Sequence, residues 1–348
     1  MKISLHGSYF GNNYGDVLLM KMFTQWVREY DPLAVINYPK LKQGMIMDPP
    51  DNTTRVMWNL IKSDALVFFG GGYFGEKPTK KIRWSFRNFF RHIIVGLFAI
   101  VFKIPYAIIG VEFGPLSVSW FKKCVLFIAK HAKYLVVRNV ESKDFLQDNG
   151  VKNVILSYDA VLSLSDIVKC ESDCVSNKKM LLHITRQNSN VISLYKAIIT
   201  VLKEQNINRV GFIEDEPGQC SRFYNDEVST LFENAGIIVD KYEYEGTDKV
   251  IEKIRESEMI ITTKLHVGIT GVALNKKVFS VYSHPKTLRL HKQVNNEMNC
   301  IALNDVDNTI VDKIRLFVKE GQYFLPKSVL EMSRQNKVLL FDFLNDIK

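Results

Sequence analysis

The chain has 348 residues, 47% hydrophobic and 24% charged, with a formal net charge of +9. That length exceeds one ordinary core and implies two domains, and the composition is that of a globular protein, not a disordered or fibrous one. The longest apolar run, residues 93–102, stops at Lys103 and Pro105. It is about half the ~20 residues a spanning helix needs, so a membrane-spanning chain is excluded.

The charge is uneven. Residues 1–175 carry 22 Lys and Arg against 15 Asp and Glu, so most of the positive excess belongs to the first half. Five cysteines at irregular spacing read as reduced thiols of a cytoplasmic protein. Cys170 and Cys174 are close, but no second Cys/His pair with zinc spacing follows, so no metal site is expected. No secretory leader is expected either, because the first residues run straight into a strand pattern.

Strand patterns at 2–6, 65–69, 106–109, 134–137 and 154–156 alternate with helical ones. This predicts parallel α/β units. Each strand leads at its C-terminal end into glycine-rich or polar residues, the edge where ligands bind in an open α/β sheet. After the first strand, Gly11-Asn12-Asn13-Tyr14-Gly15-Asp16 makes a tight turn into a helix expected over 17–30. Its glycines and asparagines let the backbone approach a ligand, and Asp16 reads either as the helix cap or as a ligand group. The pattern is not GxGxxG, and no acid ends the second strand to hold a ribose, so no nucleotide cofactor is expected.

The second glycine loop, Gly70-Gly71-Gly72, follows an apolar strand. It reads as a site of exposed N–H groups or as a plain turn. Residues 77–91 carry Lys77, Lys80, Lys81, Arg83, Arg87 and Arg91 and no acid. On a helix, Lys80, Arg83, Arg87 and Arg91 share one face, while Trp84, Phe86, Phe89 and Phe90 cover much of the rest. That pattern fits an interfacial helix on anionic lipid, or a surface helix packed on its own domain. No nucleic-acid recognition module accompanies it. Glu112, between Gly110 and Gly114, reads as a general acid or base, as a partner for a sugar hydroxyl, or as a surface acid.

Polar residues at 166–179 read as a linker between domains at 1–165 and 180–325, and 326–348 reads as a C-terminal helix. In the second domain, strands are expected at 180–185, 209–213, 237–239, 259–262 and 278–282. Arg186 follows the first of them, where its planar fork suits a carboxylate or phosphate. His183 reads as a packed core histidine, and residues 214–216 (Glu, Asp, Glu) as a solvated acidic turn. Lys264-Leu265-His266 opens a helix whose unpaired N–H groups and positive dipole end already favour an anion. The lysine is locally the wrong charge there. A bound phosphate or carboxylate would reconcile it, and the alternative is a solvated lysine beside a core histidine. Lys286 ends the turn after the strand at 278–282.

The order of these motifs resembles the polysaccharide pyruvyl transferase family over nearly the whole chain. It runs from Gly11-Asn12 to Gly15-Asp16, then Gly70-Gly71-Gly72, Gly110 with Gly114-Pro115, Arg138-Asn139, Asp159, Thr263-Lys264-Leu265-His266 and Ser283-His284-Pro285-Lys286. The resemblance implies an α/β fold of two Rossmann-like domains facing a cleft, similar to GT-B glycosyltransferases. It also implies transfer of the enolpyruvyl unit of phosphoenolpyruvate to a sugar as a cyclic ketal, with release of phosphate. The family's Arg-Leu-His motif falls on Lys264-Leu265-His266, and its donor arginine on Arg186. The chain departs from the family with lysine at 264, asparagine at 139 and alanine at 160, and Lys264 loses the bidentate geometry of arginine.

The expected donor set is thus Arg186, Lys264, Leu265, His266 and Lys286, with His266 on the departing phosphate and Arg186 and Lys264 clamping the donor. The expected acceptor set is Asn12, Asn13, Asp16, Gly71, Gly72 and Glu112. Phosphoenolpyruvate enters as a co-substrate, with no cofactor and no metal. The resemblance implies a role in making a capsule or exopolysaccharide from a polyprenyl-diphosphate-linked saccharide. That would give residues 77–102 a purpose as a peripheral contact with anionic membrane at the inner face of the plasma membrane. Two competing readings are a GT-B glycosyltransferase using a nucleotide sugar, which the acids at 214–216 invite, and a non-catalytic saccharide-binding protein.

Overall fold

The computed structural model describes residues 1–51, 53–77, 79–168, 179–307 and 309–348. Most of the linker expected at 166–179, with Cys170 and Cys174, lies outside the described residues. The chain divides into two units, Met1–Ser163 with Glu331–Lys348, and Leu164–Leu330.

The first unit contains β1 (Lys2–His6), α1 (Tyr14–Tyr30), β2 (Val35–Asn37), β3 (Thr53–Thr54) and β4 (Ala65–Phe69). It continues with α2 (Lys81–Asn88), a π-turn over Phe89–Ile93, α3 (Ile94–Val101), β5 (Tyr106–Val111), α4 (Ser119–His131), β6 (Tyr134–Val137), α5 (Val140–Asp148) and β7 (Val154–Leu156). The strands are all parallel, in the order β3-β2-β1-β4-β5-β6-β7. β4 and β5 are buried along their whole length, which is why they read as unbroken apolar runs and not as alternating ones. β2 and β3 escape the sequence because three and two residues make no period.

Helix α1 begins at Tyr14, three residues earlier than expected. Asn13 caps it by accepting from the Asp16 N–H at 3.3 Å, so Asp16 is not the cap but sits in the first turn, where its charge suits the dipole. α3 packs closely on α4 at Gly96, where a Cβ would lie 2.7 Å from Ile128 Cδ1. The end of the chain, α13 (Lys327–Asn345), is tied to the loop after β7. Ser333 Oγ donates to the Asp159 carbonyl at 2.7 Å, and Asn336 Nδ2 donates to the Tyr158 carbonyl at 2.8 Å.

The second unit contains β8 (Met180–His183), α6 (Ser189–Glu204), β9 (Arg209–Ile213), α7 (Gln219–Phe223), α8 (Asp226–Asn234), β10 (Ile238–Tyr242) and α9 (Thr247–Arg255). β11 (Met259–Thr262), α10 (Leu265–Ala273), β12 (Lys277–Tyr282), α11 (Pro285–Gln293), β13 (Cys300–Ala302) and α12 (Ile310–Lys319) complete it. Its parallel sheet runs β10-β9-β8-β11-β12-β13, the same order as the first six strands of the other unit. In each sheet the order reverses beside the first strand, between β1 and β4 and between β8 and β11. Such a switch point leaves a crevice at the strands' C-terminal ends. β8 ends two residues before the expected 185, because the Thr185 N–H turns out of the ladder to donate to Thr263 Oγ1 at 2.9 Å. Among the described residues no helix is long and apolar enough to cross a membrane.

One glycine in β5 is structurally demanding. The ladder between β5 and β6 shifts register between Ile109 and Val111, and Gly110 at that step has φ +69. A Cβ there would lie 2.8 Å from Asn336 Oδ1 on α13. Gly110→Ala should therefore destabilise the first unit by about 1–3 kcal/mol in urea unfolding, from left-handed strain and the displaced C-terminal helix. A change near zero would mean that the strand and α13 shift freely.

Candidate functional site

In the second unit, the loops after β8, β9, β11 and β12 emerge from one sheet edge. Pairing of Thr262 with both His183 and Ser280 puts the ends of β8 and β11 level, with β12 running on to Tyr282. The loops after β8 and β11 are locked together, as the Thr263 N–H donates to the His183 carbonyl at 2.9 Å and Thr263 Oγ1 receives the Thr185 N–H. Arg186 leaves this locked turn exposed. Its Nε and Nη2 each lie 3.3 Å from Ser283 Oγ, and its Nη1 donates to the Thr185 carbonyl at 3.2 Å. No carboxylate pairs with it among the described residues.

Two helices start at the same edge. Lys264 is the N-cap of α10 and His284 the N-cap of α11, and neither side chain caps its helix. Neither first turn contains an acid. Leu265 and His266 open α10, half-buried, and the His266 carbonyl receives Thr270 Oγ1 at 2.9 Å. Lys286 lies in the first turn of α11, also half-buried. Arg186, the start of α10 and the Ser283–Lys286 turn are thereby brought to one edge. It is furnished with a guanidinium, an imidazole, an ammonium and two positive helix ends, the chemistry that holds an anion.

Lys264 behaves differently from expectation. Its Nζ lies 2.8 Å from Asp215 Oδ1 and 3.2 Å from Glu216 Oε1. The lysine at a helix start is thus reconciled by the chain's own acids. His183 is buried, as expected, and bridges Thr262 Oγ1 at 3.0 Å through Nδ1 and Asp215 Oδ1 at 3.2 Å through Nε2. Residues 214–216 are not a solvated turn, since Glu214 and Asp215 are buried. Glu214 accepts from the Cys220 N–H through one oxygen and from the Tyr244 N–H at 2.9 Å through the other. Burial works against the Asp215 charge, but His183 and then Lys264 outweigh it and hold this carboxyl well below the usual carboxylate range. Lys264 and Asp215 are 49 residues apart in the chain, which is why sequence alone hid a network assembled across three strands.

The first unit carries the residues expected to meet an acceptor. Asn12 Oδ1 accepts from the Met47 N–H at 2.7 Å, and Asn13 caps α1. Both amides therefore fix the loop. The Gly71 carbonyl accepts from the Glu112 N–H at 2.9 Å, with Gly71 at φ +81, and Gly72 is half-buried beside it. Glu112 is not a surface acid. It is buried, and its Oε2 takes Arg138 Nη2 at 2.6 Å while Arg138 Nη1 reaches Asp159 Oδ2 at 2.7 Å. This occupied carboxylate positions the loop and is a poor general base. Burial opposes the charge of Arg138, but Glu112 and Asp159 raise its pKa further above its ordinary value.

Asp16, half-buried in the first turn of α1, is a further acid at the switch point of the first sheet. Burial, and secondly the Asp16 carboxylate, push the Tyr73 phenol well above its ordinary value, which places Asp16 within electrostatic reach of the loop after β4. Beneath these loops lies a group the sequence did not reveal. His6 Nδ1 meets Tyr9 OH at 2.7 Å, and His6 Nε2 meets His92 Nδ1 at 3.0 Å. Burial, helped by the charge of Lys40, pushes His6 down to about 3, so the pair is neutral. Among the described residues no group of three or more His, Cys, Asp or Glu is placed to hold a metal ion.

The sequence model of a family described as polysaccharide pyruvyl transferase matches residues 13–285. No curated protein matches the chain. Among solved structures, UDP-GlcNAc 2-epimerase from Methanocaldococcus jannaschii superposes with a TM-score of 0.64 at 12% identity, over 98% of this chain and 100% of that one. UDP-GlcNAc 2-epimerase from Neisseria meningitidis, solved with UDP-GlcNAc bound, gives 0.60 at 11% identity, over 99% of this chain and 100% of that one. At such identity the likeness establishes the fold, GT-B-like with two parallel-sheet α/β domains.

Two outcomes follow from the buried ion networks. Arg138→Leu leaves Glu112 and Asp159 as uncompensated buried charges and should cost about 3–5 kcal/mol in urea unfolding. The folded-state pKa of Asp215 lies below its unfolded value, so its contribution is complete above about pH 5 and fades as pH falls through and below about 4. The stability gap between the wild type and Asp215→Asn should narrow over that acid range. A gap that widens on acidification would contradict the assignment.

Proposed function

The chain belongs to the polysaccharide pyruvyl transferase family, and from that premise we propose that it transfers the enolpyruvyl unit of phosphoenolpyruvate to a saccharide and forms a pyruvate ketal. The observation that carries this reading is the meeting of Arg186, His266, Lys286 and two uncapped helix starts at the switch point of the second unit. Phosphoenolpyruvate offers a carboxylate and a phosphate, and this edge offers a planar cation for the first and helix N–H groups with an imidazole for the second. Lys264, held by Asp215 and Glu216, acts in this reading as a positioning residue that aims α10.

The chemistry balances without a cofactor. Protonation of the enol methylene makes a methyl group and leaves a cationic carbon, which a sugar hydroxyl attacks. The phosphate departs, and a second hydroxyl closes the ketal. The two hydroxyl protons account for the new methyl C–H and for the proton carried off by the phosphate. His266 is assigned to the leaving phosphate and Arg186 to the carboxylate. In the first unit, Asp16 is assigned to proton transfer with the acceptor, while Asn12, Asn13, Gly71, Gly72 and Glu112 shape its loops. The acceptor we propose is a precursor sugar carried on a polyprenyl diphosphate, in the making of a capsule or exopolysaccharide.

The structural relatives include an epimerase solved with UDP-GlcNAc, which favours a nucleotide-sugar reading of the same fold. Against it, Glu214, one of the acids that invited a ribose contact, has both carboxylate oxygens taken by backbone N–H groups.

The test is phosphate release and pyruvyl mass gain with phosphoenolpyruvate and a panel of lipid-linked saccharides. His266→Ala and Arg186→Ala should each lower kcat/KM by about 100-fold or more. Both residues lie outside the buried core, so stability should stay within about 1 kcal/mol of wild type. Turnover with a nucleotide sugar, and none with phosphoenolpyruvate, would reverse the assignment.

A further inference from the structure

We infer that the first unit carries a docking face for an anionic phospholipid bilayer, built from the helical stretch α2–α3 and from α4. The inference is independent of the pyruvyl-transfer reading.

The helical stretch over residues 81–101 is two-sided. Ser85, Asn88, His92, Val95, Gly96 and Ala99 turn inward, and Gly96 brings α3 against Ile128 of α4. The outer side leaves large apolar groups in solvent. Ile82 is 64% exposed, Phe86 53%, Phe90 58% and Val101 72%. Trp120 and Phe127 on α4 are exposed as well, and Trp120 joins the patch, with its ring centroid 4.9 Å from that of Phe86. Scattered apolar side chains are ordinary on a protein surface, but here Phe86 and Phe89 both meet Trp120 across two helices, and Phe89 meets Phe90.

The charge around them identifies the occupant. Residues 77–140 contain twelve Lys and Arg and a single acid, Glu112, which is buried on Arg138. Lys77, Lys80, Arg83 and Arg87 flank the apolar patch in solvent, and Lys123 and Lys130 are exposed on α4. Arg87 lies over the Trp84 ring at 4.4 Å, and Lys77 lies over the same ring at 4.8 Å. Aromatic rings ringed by cations match the two layers of a membrane surface, with anionic headgroups outside and acyl chains beneath. A second copy fits poorly, since an isologous contact would press this cationic face against itself.

The experiment is co-sedimentation of the full chain with phosphatidylcholine vesicles, with and without phosphatidylglycerol, while the tryptophan emission is followed. The expected result is binding to the anionic vesicles, weakened by salt, with a blue shift from Trp84 and Trp120. The triple variant Ile82→Ser, Phe86→Ser, Phe90→Ser should lose binding. The double variant Arg83→Gln, Arg87→Gln should weaken it by about fivefold per cation removed. All these side chains are exposed or flank the core, and unchanged thermal unfolding of both variants would confirm that folding is intact. Failure of the wild type to bind anionic vesicles, or equal binding by the triple variant, would overturn the proposal. So would a wild-type dimer, in the absence of vesicles, that the triple variant makes monomeric.

Discussion

Parallel pairing is the constraint on which the rest of this structure depends. A parallel sheet cannot be closed by hairpins, so every strand needs a crossover, and every crossover begins at the same edge. In the second unit this forces β8, β11 and β12 side by side although their residues are far apart in the sequence. Arg186, His266 and Lys286 are then delivered to one edge by the backbone alone. Thr263 completes the arrangement by bonding to the main chain at both His183 and Thr185.

Charge is managed differently at the two kinds of position. Where a charge is buried, it is paired on more than one side, as Asp215 is by His183 and Lys264 and Arg138 is by Glu112 and Asp159. Leaving either alone in a dry interior would cost several kcal/mol, roughly the price of a large part of a domain's net stability. Where a cation is half-solvated at a strand end, as at Arg186, it is held by hydroxyl and carbonyl oxygens and keeps its charge for something else. This contrast separates residues that build the edge from residues that serve it. It moves Lys264 and Glu112 into the first group.

Most of the architecture was legible in the sequence because buried parallel strands are apolar on both faces. The runs at 65–69, 106–109 and 259–262 could hardly be anything else. The short strands β2, β3 and β13 were not legible, since so few residues carry no periodicity. The start of α1 was missed because Tyr14 and Gly15 look like loop, and the cap that decides the matter is an asparagine among several polar residues. Arg186, Lys264, His266 and Lys286 stand out in the sequence because each follows a strand pattern. The ion networks around Asp215 and Arg138 are not legible, because each reaches across neighbouring strands. The pairing of His6 with His92 depends on a helix crossing the end of β1, which no local pattern encodes.

In the proposed function, the C-terminal edge of the second sheet is an anion site for phosphoenolpyruvate and not for a nucleotide sugar. Isothermal titration calorimetry of the full chain against phosphoenolpyruvate, with UDP-GlcNAc as competitor, tests it most directly. The expected result is saturable binding of phosphoenolpyruvate that UDP-GlcNAc leaves unchanged and that disappears in Arg186→Ala. Binding of UDP-GlcNAc with no heat from phosphoenolpyruvate would contradict it.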